Sequence, residues 1–243
     1  MRVGAPYSCM TESDASQAGW IESMISDLRG ESAASRRTFL RRSAAAGAGA
    51  LALSVAGSNA ALAHEIDDED ASDVDVLNFA LTLEHLEHAF YRDGLERFGE
   101  HDFRSAQTLQ GLAYRMRKDI RPNFETIRDH EKTHVDTLTT VIEDLGGDPV
   151  AEACYDFGLE DVDDFIAVAG VLENTGVSAY DGAISMVESA DLLTAGATIA
   201  TVEARHASYL NTLNERDPFP SAFDDAKSTD EILDAAGGFI VDC

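Results

Sequence analysis

One spacing of carboxylate, phenol and imidazole side chains occurs twice in this chain, in the same order, and nothing else in the sequence narrows the fold as far. Glu84 is followed seven residues later by Tyr91, and then by Glu131-Lys132-Thr133-His134. Glu173 is followed seven residues later by Tyr180, and then by Glu203-Ala204-Arg205-His206. The neighbours match as well. Leu83-Glu84 parallels Leu172-Glu173, and Leu138 stands seven after Glu131 as Leu210 stands seven after Glu203. On a helix, residues three or seven apart share a face, so each Glu-x-x-His offers two ligand groups to one point.

With 19 Glu and 7 His in 243 residues, a lone Glu-x-x-His is expected by chance about half the time, so each fragment alone is weak. Two of each fragment, alternating in matched order, are a different matter. Two Glu-x-x-His pairs, plus one Glu from each of two further helices, make the inward-facing set that holds two iron or manganese ions inside a four-helix bundle. The bland alternative is surface Glu with Tyr packed between helices.

Charge narrows the partners. Acids outnumber bases 45 to 18, for a formal net charge of −27, and from His64 onward the ratio is 40 to 12. Such a surface repels nucleic acid and anionic membrane, so neither is an expected partner. Only three of the bases are lysine: Lys118, Lys132 and Lys227. An acidic skin poor in lysine suits a protein solvated in concentrated salt. Disorder, the other reading of high net charge, is opposed by the apolar periodicity after Asp73.

The first 63 residues read as an export leader. Ser35-Arg36-Arg37-Thr38-Phe39-Leu40 has the form of a twin-arginine motif, extended by Arg41 and Arg42. A small-residue run from Ala44 to Ala56 follows, and Ala61-Leu62-Ala63 has the A-x-A form of a cleavage site, which makes His64 the first mature residue. An uncleaved anchor over Ala44–Ala63 is the competing reading, weakened by its Gly, Ser and Asn content. The stretch before Ser35 is long for a leader, and Met24 is an alternative start. The expected location is extracellular or on the cell surface, with no stable membrane insertion after cleavage.

The mature chain reads as all-α. Residues 64–72 form an acidic arm, 73–216 the helical domain, and 217–243 a C-terminal extension with a short helix. A first long helix is expected over Asp73–Phe98, with Leu77, Ala80, Leu81, Glu84, His88, Tyr91 and Leu95 on its inward stripe. A second segment over Arg104–Asp119 leads to Pro122, placed in the first turn of the helix that carries Glu131 and His134. Gly146-Gly147-Asp148-Pro149 stops that helix, and a long irregular connection follows to Glu160. Two further long helices are expected over Asp161–Ser189 and Asp191–Asn214. Ser228 and Glu231 form a capping box for a final helix that ends at Gly237-Gly238. No strand-like alternation of useful length appears.

These residues carry a resemblance. The order Glu-x6-Tyr, Glu-x-x-His, repeated, resembles the ferritin-like superfamily in the style of bacterioferritin and rubrerythrin. More narrowly, Leu77-Asn78-Phe79-Ala80-Leu81-Thr82-Leu83-Glu84, Val202-Glu203-Ala204-Arg205-His206 and Pro220-Ser221-Ala222-Phe223-Asp224 look like the exported ferritin-like family that includes desiccation-related proteins. The resemblance covers about residues 73–240. It implies an antiparallel four-helix bundle with a long connection between its second and third helices, and a di-iron or, less often, di-manganese site.

In such a site His134 and His206 would each end on one metal as neutral imidazoles, Glu131 and Glu203 would bridge, and Glu84 and Glu173 would be terminal carboxylates. Four carboxylates balance two cations, which lets the site be buried. Tyr91 and Tyr180 would support the ligands through their hydroxyls, or simply pack. His88 is a further candidate as ligand or proton donor, and Glu87 could stand in for Glu84 but lacks a Tyr seven residues on. His101 and His130 have no matching partner and read as surface or helix-boundary residues. Whether Cys154 and Cys243 pair is left open. Four functions fit: ferroxidase or other redox chemistry with O2 or H2O2, manganese catalase-like activity, non-enzymatic metal binding or desiccation protection, and iron storage. The last needs a large homo-oligomer, which the sequence neither requires nor forbids.

Overall fold

The structure, a computed structural model, describes residues 71–243. The leader, its cleavage site and residues 64–70 of the acidic arm lie outside them. Six α-helices are present among the described residues: α1 Asp73–Arg97, α2 Glu100–Ser105, α3 Tyr114–Asp144, α4 Val162–Ala183, α5 Ala190–Leu213 and α6 Thr229–Ala236. None is long and apolar enough to cross a membrane.

The starts of these helices follow from local chemistry. Ser72 caps α1 by accepting from Asp75 N–H, while the Asp75 carboxylate takes the Ser72 N–H in return. Asp161 caps α4, Ser189 caps α5, and Ser228 with Glu231 forms the expected box on α6. Each of these side chains satisfies an N–H that the first helical turn leaves without a partner.

Long-range contacts set the directions. The start of α1 meets the end of α3 and its connection, through Asn78 Nδ2 to Asp148 O, while its end meets the start of α3, through Arg121 to Leu95 O. Asn214 at the end of α5 donates to Ile166 O near the start of α4. Tyr91 reaches Glu173, whereas Tyr180 reaches back to Glu84, so α4 also runs against α1. Because α3 and α4 both oppose α1, they run parallel, and the chain between them must travel the length of the bundle. That is why a long connection follows Asp144. The arrangement is an all-α, antiparallel four-helix bundle of the ferritin-like type.

Two local expectations are corrected and one open question is answered. Pro122 is two turns inside α3 rather than in its first turn. It removes one helical hydrogen bond, at an ordinary cost of about 3 kcal/mol. The carbonyl that loses its partner belongs to exposed Lys118, where solvent can reach it, and the extra turns carry Ile120 into the core. Second, α4 ends at Ala183 instead of Ser189. The returning chain packs on its last turn: Lys227 N–H bonds Ser178 O, and any Cβ at Gly182 would lie 1.9 Å from Lys227 O. The open question is the pairing of the two cysteines: a disulfide joins Cys154 to Cys243, beside a two-residue antiparallel pairing of Cys154–Tyr155 with Ile240–Val241. The C-terminal extension is thus stapled to the long connection.

The core is aromatic at one end. Phe165 touches the rings of Phe90, Tyr91, Phe98, Phe103 and Phe124, and Phe90 in turn meets Phe157 from the connection. One turn from this cluster the interior changes character.

Candidate metal centre

Six ionisable side chains meet in the middle of the bundle, contributed by all four long helices. Glu84, Glu131, Glu173 and Glu203 are each 0 % exposed, with His134 at 8 % and His206 at 6 %. Each Glu-x-x-His supplies its pair from one helix face: Glu131 and His134 from α3, Glu203 and His206 from α5. The six form two overlapping groups. Glu84, Glu131, His134 and Glu203 surround one point; Glu131, Glu173, Glu203 and His206 surround the other. Within each group the ligand atoms lie within 4.8 Å of one another. Glu131 and Glu203 belong to both.

The short contacts cannot all be hydrogen bonds. His134 Nδ1 lies 3.1 Å from Glu84 Oε2, 3.1 Å from Glu131 Oε2 and 3.2 Å from Glu203 Oε1. One imidazole nitrogen carries at most one proton, so it can satisfy at most one of these oxygens well. His206 Nδ1 repeats the arrangement, 3.0 Å from Glu131 Oε1 and 3.1 Å from Glu173 Oε2. Glu131 Oε1 and both oxygens of Glu203 are buried and receive no hydrogen bond. Buried carboxylate oxygens in that state are costly. A cation at each point would meet every one of these atoms at once, so the donor set fits a pair of metal ions.

Electrostatics point the same way. Burial pushes Glu203 well above the usual carboxylate range, and the charges of Glu131 and Glu173 add to it. Burial also lifts Glu131, to about 7, against the pull of the neighbouring His134 and His206 imidazoles. For Glu84 the positive charge and hydrogen bond of His134, together with the Tyr180 hydroxyl, outweigh burial and hold it below the usual range. Both imidazoles move up despite burial. Glu84, with the adjacent carboxylates of Glu131 and Glu203, raises His134 well above its usual value, while Glu173 and Glu131 bring His206 to about 11. Protons therefore do in this cluster what cations would otherwise do.

The two phenols cross the bundle. Tyr91 of α1 donates to Glu173 Oε1 at 2.6 Å, and Tyr180 of α4 donates to Glu84 Oε1. Each terminal carboxylate thus has one oxygen tied to a phenol and the other beside an imidazole. Burial keeps both hydroxyls protonated, with nearby carboxylates adding to the effect.

The remaining candidates sort differently. His88 is half-buried beside Arg92 and Glu152, away from both groups, and burial followed by Arg92 lowers its pKa. The inward stripe of α1 is 84, 87 and 91; position 88 has rotated towards the long connection. Glu87 instead faces in, 3 % exposed, and burial with the charges of Glu203, Glu173, Glu131 and Glu84 drives it well above the usual range. Its space comes from Gly176, where a Cβ would stand 3.1 Å from Glu87 Oε1 and 3.5 Å from Glu203 Oε2. Gly176 stands three after Glu173 as Glu87 stands three after Glu84, so comparing the two copies position by position exposes this exchange. His101 is on the surface. His130 is exposed, as expected, but its Nδ1 lies 2.9 Å from His206 Nε2.

Comparison with known proteins agrees with this architecture. No curated protein matches the chain. The ferritin-like domain family matches residues 72–216, more than half of its length, a span that takes in all four long helices and all six side chains of the centre. The chain belongs to the ferritin-like domain family.

Proposed function

We propose that this chain is an exported di-metal protein, with iron as its first metal, that exchanges electrons with O2 or H2O2. The observation that carries the reading is the pair of overlapping ligand groups sharing Glu131 and Glu203. Shared carboxylates are what keep two like-charged cations together at close range. Glu131 and Glu203 would bridge, His134 and His206 would hold one ion each through Nδ1, and Glu84 and Glu173 would close the two ends. When bound, the metal pair supplies one-electron steps to oxygen or peroxide.

The chain's own residues supply the rest. Glu131 and Glu203, whose carboxyls burial pushes up, would give up their protons on holding the ions. Tyr180 and Tyr91 fix one oxygen of Glu84 and of Glu173, which keeps the free oxygen of each turned towards its imidazole. Full burial excludes bulk water, so changes of charge at the centre are felt strongly by the carboxylates around it. Glu87, whose carboxyl burial holds well above the usual range, would be a nearby proton source for reduced oxygen.

Manganese fits the same oxygen-rich donor set and gives the second reading, a catalase-like activity. Export by the twin-arginine route, to a salt-rich exterior, completes the proposal; the Cys154–Cys243 disulfide supports an oxidising location. A role in desiccation or oxidative-stress protection follows if the metals are held without turnover. The test is oxygen exchange by metal-loaded protein. O2 uptake on adding Fe2+ is expected. O2 release from peroxide by manganese-loaded protein would favour the second reading, and neither activity would leave a protective metal binder.

A further inference from the structure

The two copies of the ligand pattern differ one residue upstream of each Glu-x-x-His. His130 precedes Glu131, whereas Val202 precedes Glu203. His130 is an outer residue of α3, yet its ring lies against His206 with centroids 5.2 Å apart and planes inclined by 17°. Its Nδ1 is 2.9 Å from His206 Nε2. The other ring nitrogen of His206, Nδ1, points at Glu131 and Glu173. Among the described residues, no protein group hydrogen-bonds His134 Nε2, and a valine at the matching position has no atom that accepts a proton.

Resting on the di-metal reading, we infer that His130 is a positioning residue for His206 alone. It accepts the His206 Nε2 proton, aims Nδ1 into the carboxylate cluster, and so makes the two metal positions unequal. The chemistry is simple. A histidine that ligates through Nδ1 must carry its proton on Nε2, and that proton needs an acceptor. The His130 Nδ1 lone pair provides one, with the His130 proton on its own Nε2. The His206 position is therefore locked in tautomer and orientation, while the His134 position relies on its carboxylates.

Two variants separate hydrogen bonding from packing. His130→Phe keeps a flat ring beside His206 but offers no acceptor. His130→Asn keeps an acceptor oxygen near the place of Nδ1 and loses the ring. Metal-free full-length protein is titrated with Mn2+ alone, with helical circular dichroism as the check on folding. Wild type is expected to bind two ions. His130→Phe should weaken one of the two by about 10- to 100-fold and leave the other unchanged, and His130→Asn should restore most of the loss. Equal affinities in His130→Phe and wild type would overturn the inference, as would equal weakening of both positions or a failure of His130→Asn to rescue.

If wild type took up neither Mn2+ nor Fe2+, the di-metal reading would fall, but the contact would still be open to measurement in metal-free protein. The His206 Nε2–H is expected as a slowly exchanging signal in 15N-resolved NMR that is lost in His130→Phe. An unchanged signal would overturn the positioning role independently of metal.

Discussion

The aromatic end of the bundle and its polar middle are built by the same helices, sometimes by the same residue, yet they are held together for different reasons. Tyr91 sits on the border: its ring packs near Phe90, Phe124 and Phe165, and its hydroxyl binds Glu173. On the aromatic side, burial stabilises under all conditions, because apolar surface leaves water and nothing is left unsatisfied. On the polar side, four fully buried carboxylates with a fifth beside them cost free energy unless protons or cations share the space. Stability thus comes from one region, and the other is tolerated for what it can bind.

That contrast can be broken most severely at Phe165. It is 0 % exposed and meets five other rings, so Phe165→Ala should cost about 3–5 kcal/mol in chemical denaturation, with or without metal. A loss below about 1 kcal/mol would show that the aromatic end is not the source of stability. Next comes the staple, which ties the C-terminal extension to the long connection alongside Phe157 and Phe239. Cys243→Ser should cost about 2–4 kcal/mol under oxidising conditions and nothing in reductant.

The polar middle should respond with the opposite sign. Glu203→Gln replaces a buried carboxyl whose oxygens receive no hydrogen bond, and should leave metal-free protein as stable as wild type or up to about 2 kcal/mol more stable. The same variant should lose the rise in melting temperature that metal gives wild type. A metal-free Glu203→Gln protein that unfolds far more easily would contradict the contrast.

The pH dependence sharpens it further. Glu131 titrates at about 7 in the folded metal-free chain, above its ordinary value of 4.5, so between these values the folded state binds more protons than the unfolded one. Its contribution is therefore intact below about 4.5 and is lost as pH rises through about 7. His206, raised from 6.5 to about 11, contributes stability that is fully present below 6.5 and disappears towards about 11. Glu84, held low, acts in reverse and loses its contribution only in acid. Metal-free protein should accordingly melt at lower temperature at pH 8 than at pH 5.5, while metal-loaded protein, with cations in place of protons, should show a flat or inverted trend. The smallest effect is expected at the border: Tyr91→Phe keeps the ring and removes the donor, for about 1 kcal/mol.

How far the sequence spoke depended on the range of the interaction. The six central side chains were legible because three- and seven-residue steps on a helix are local geometry, and repetition in matched order supplied the rest. The capping box at Ser228 and the stop after Asp144 were legible for the same reason. Glu87 and His88 were not told apart, since one residue's rotation of α1 decides between them and that rotation is set by packing against α3 and α4. His130 is on the surface as its sequence reading had it, but its contact with His206 was not legible, because the two stand 76 residues apart on different helices. The early end of α4 depends on a tail that returns to cross Gly182, and the pairing of Cys154 with Cys243 depends on where that tail finishes.

The central claim is that six buried side chains hold two metal ions between the four helices. Metal content per chain, measured on protein purified and reloaded in parallel with a Glu203→Ala/His206→Ala double variant, tests it most directly. The account predicts two bound ions in wild type and loss of both tight positions in the variant, because Glu203 belongs to both groups. Full retention of metal by a folded double variant, or no metal in wild type under any loading condition, would contradict it.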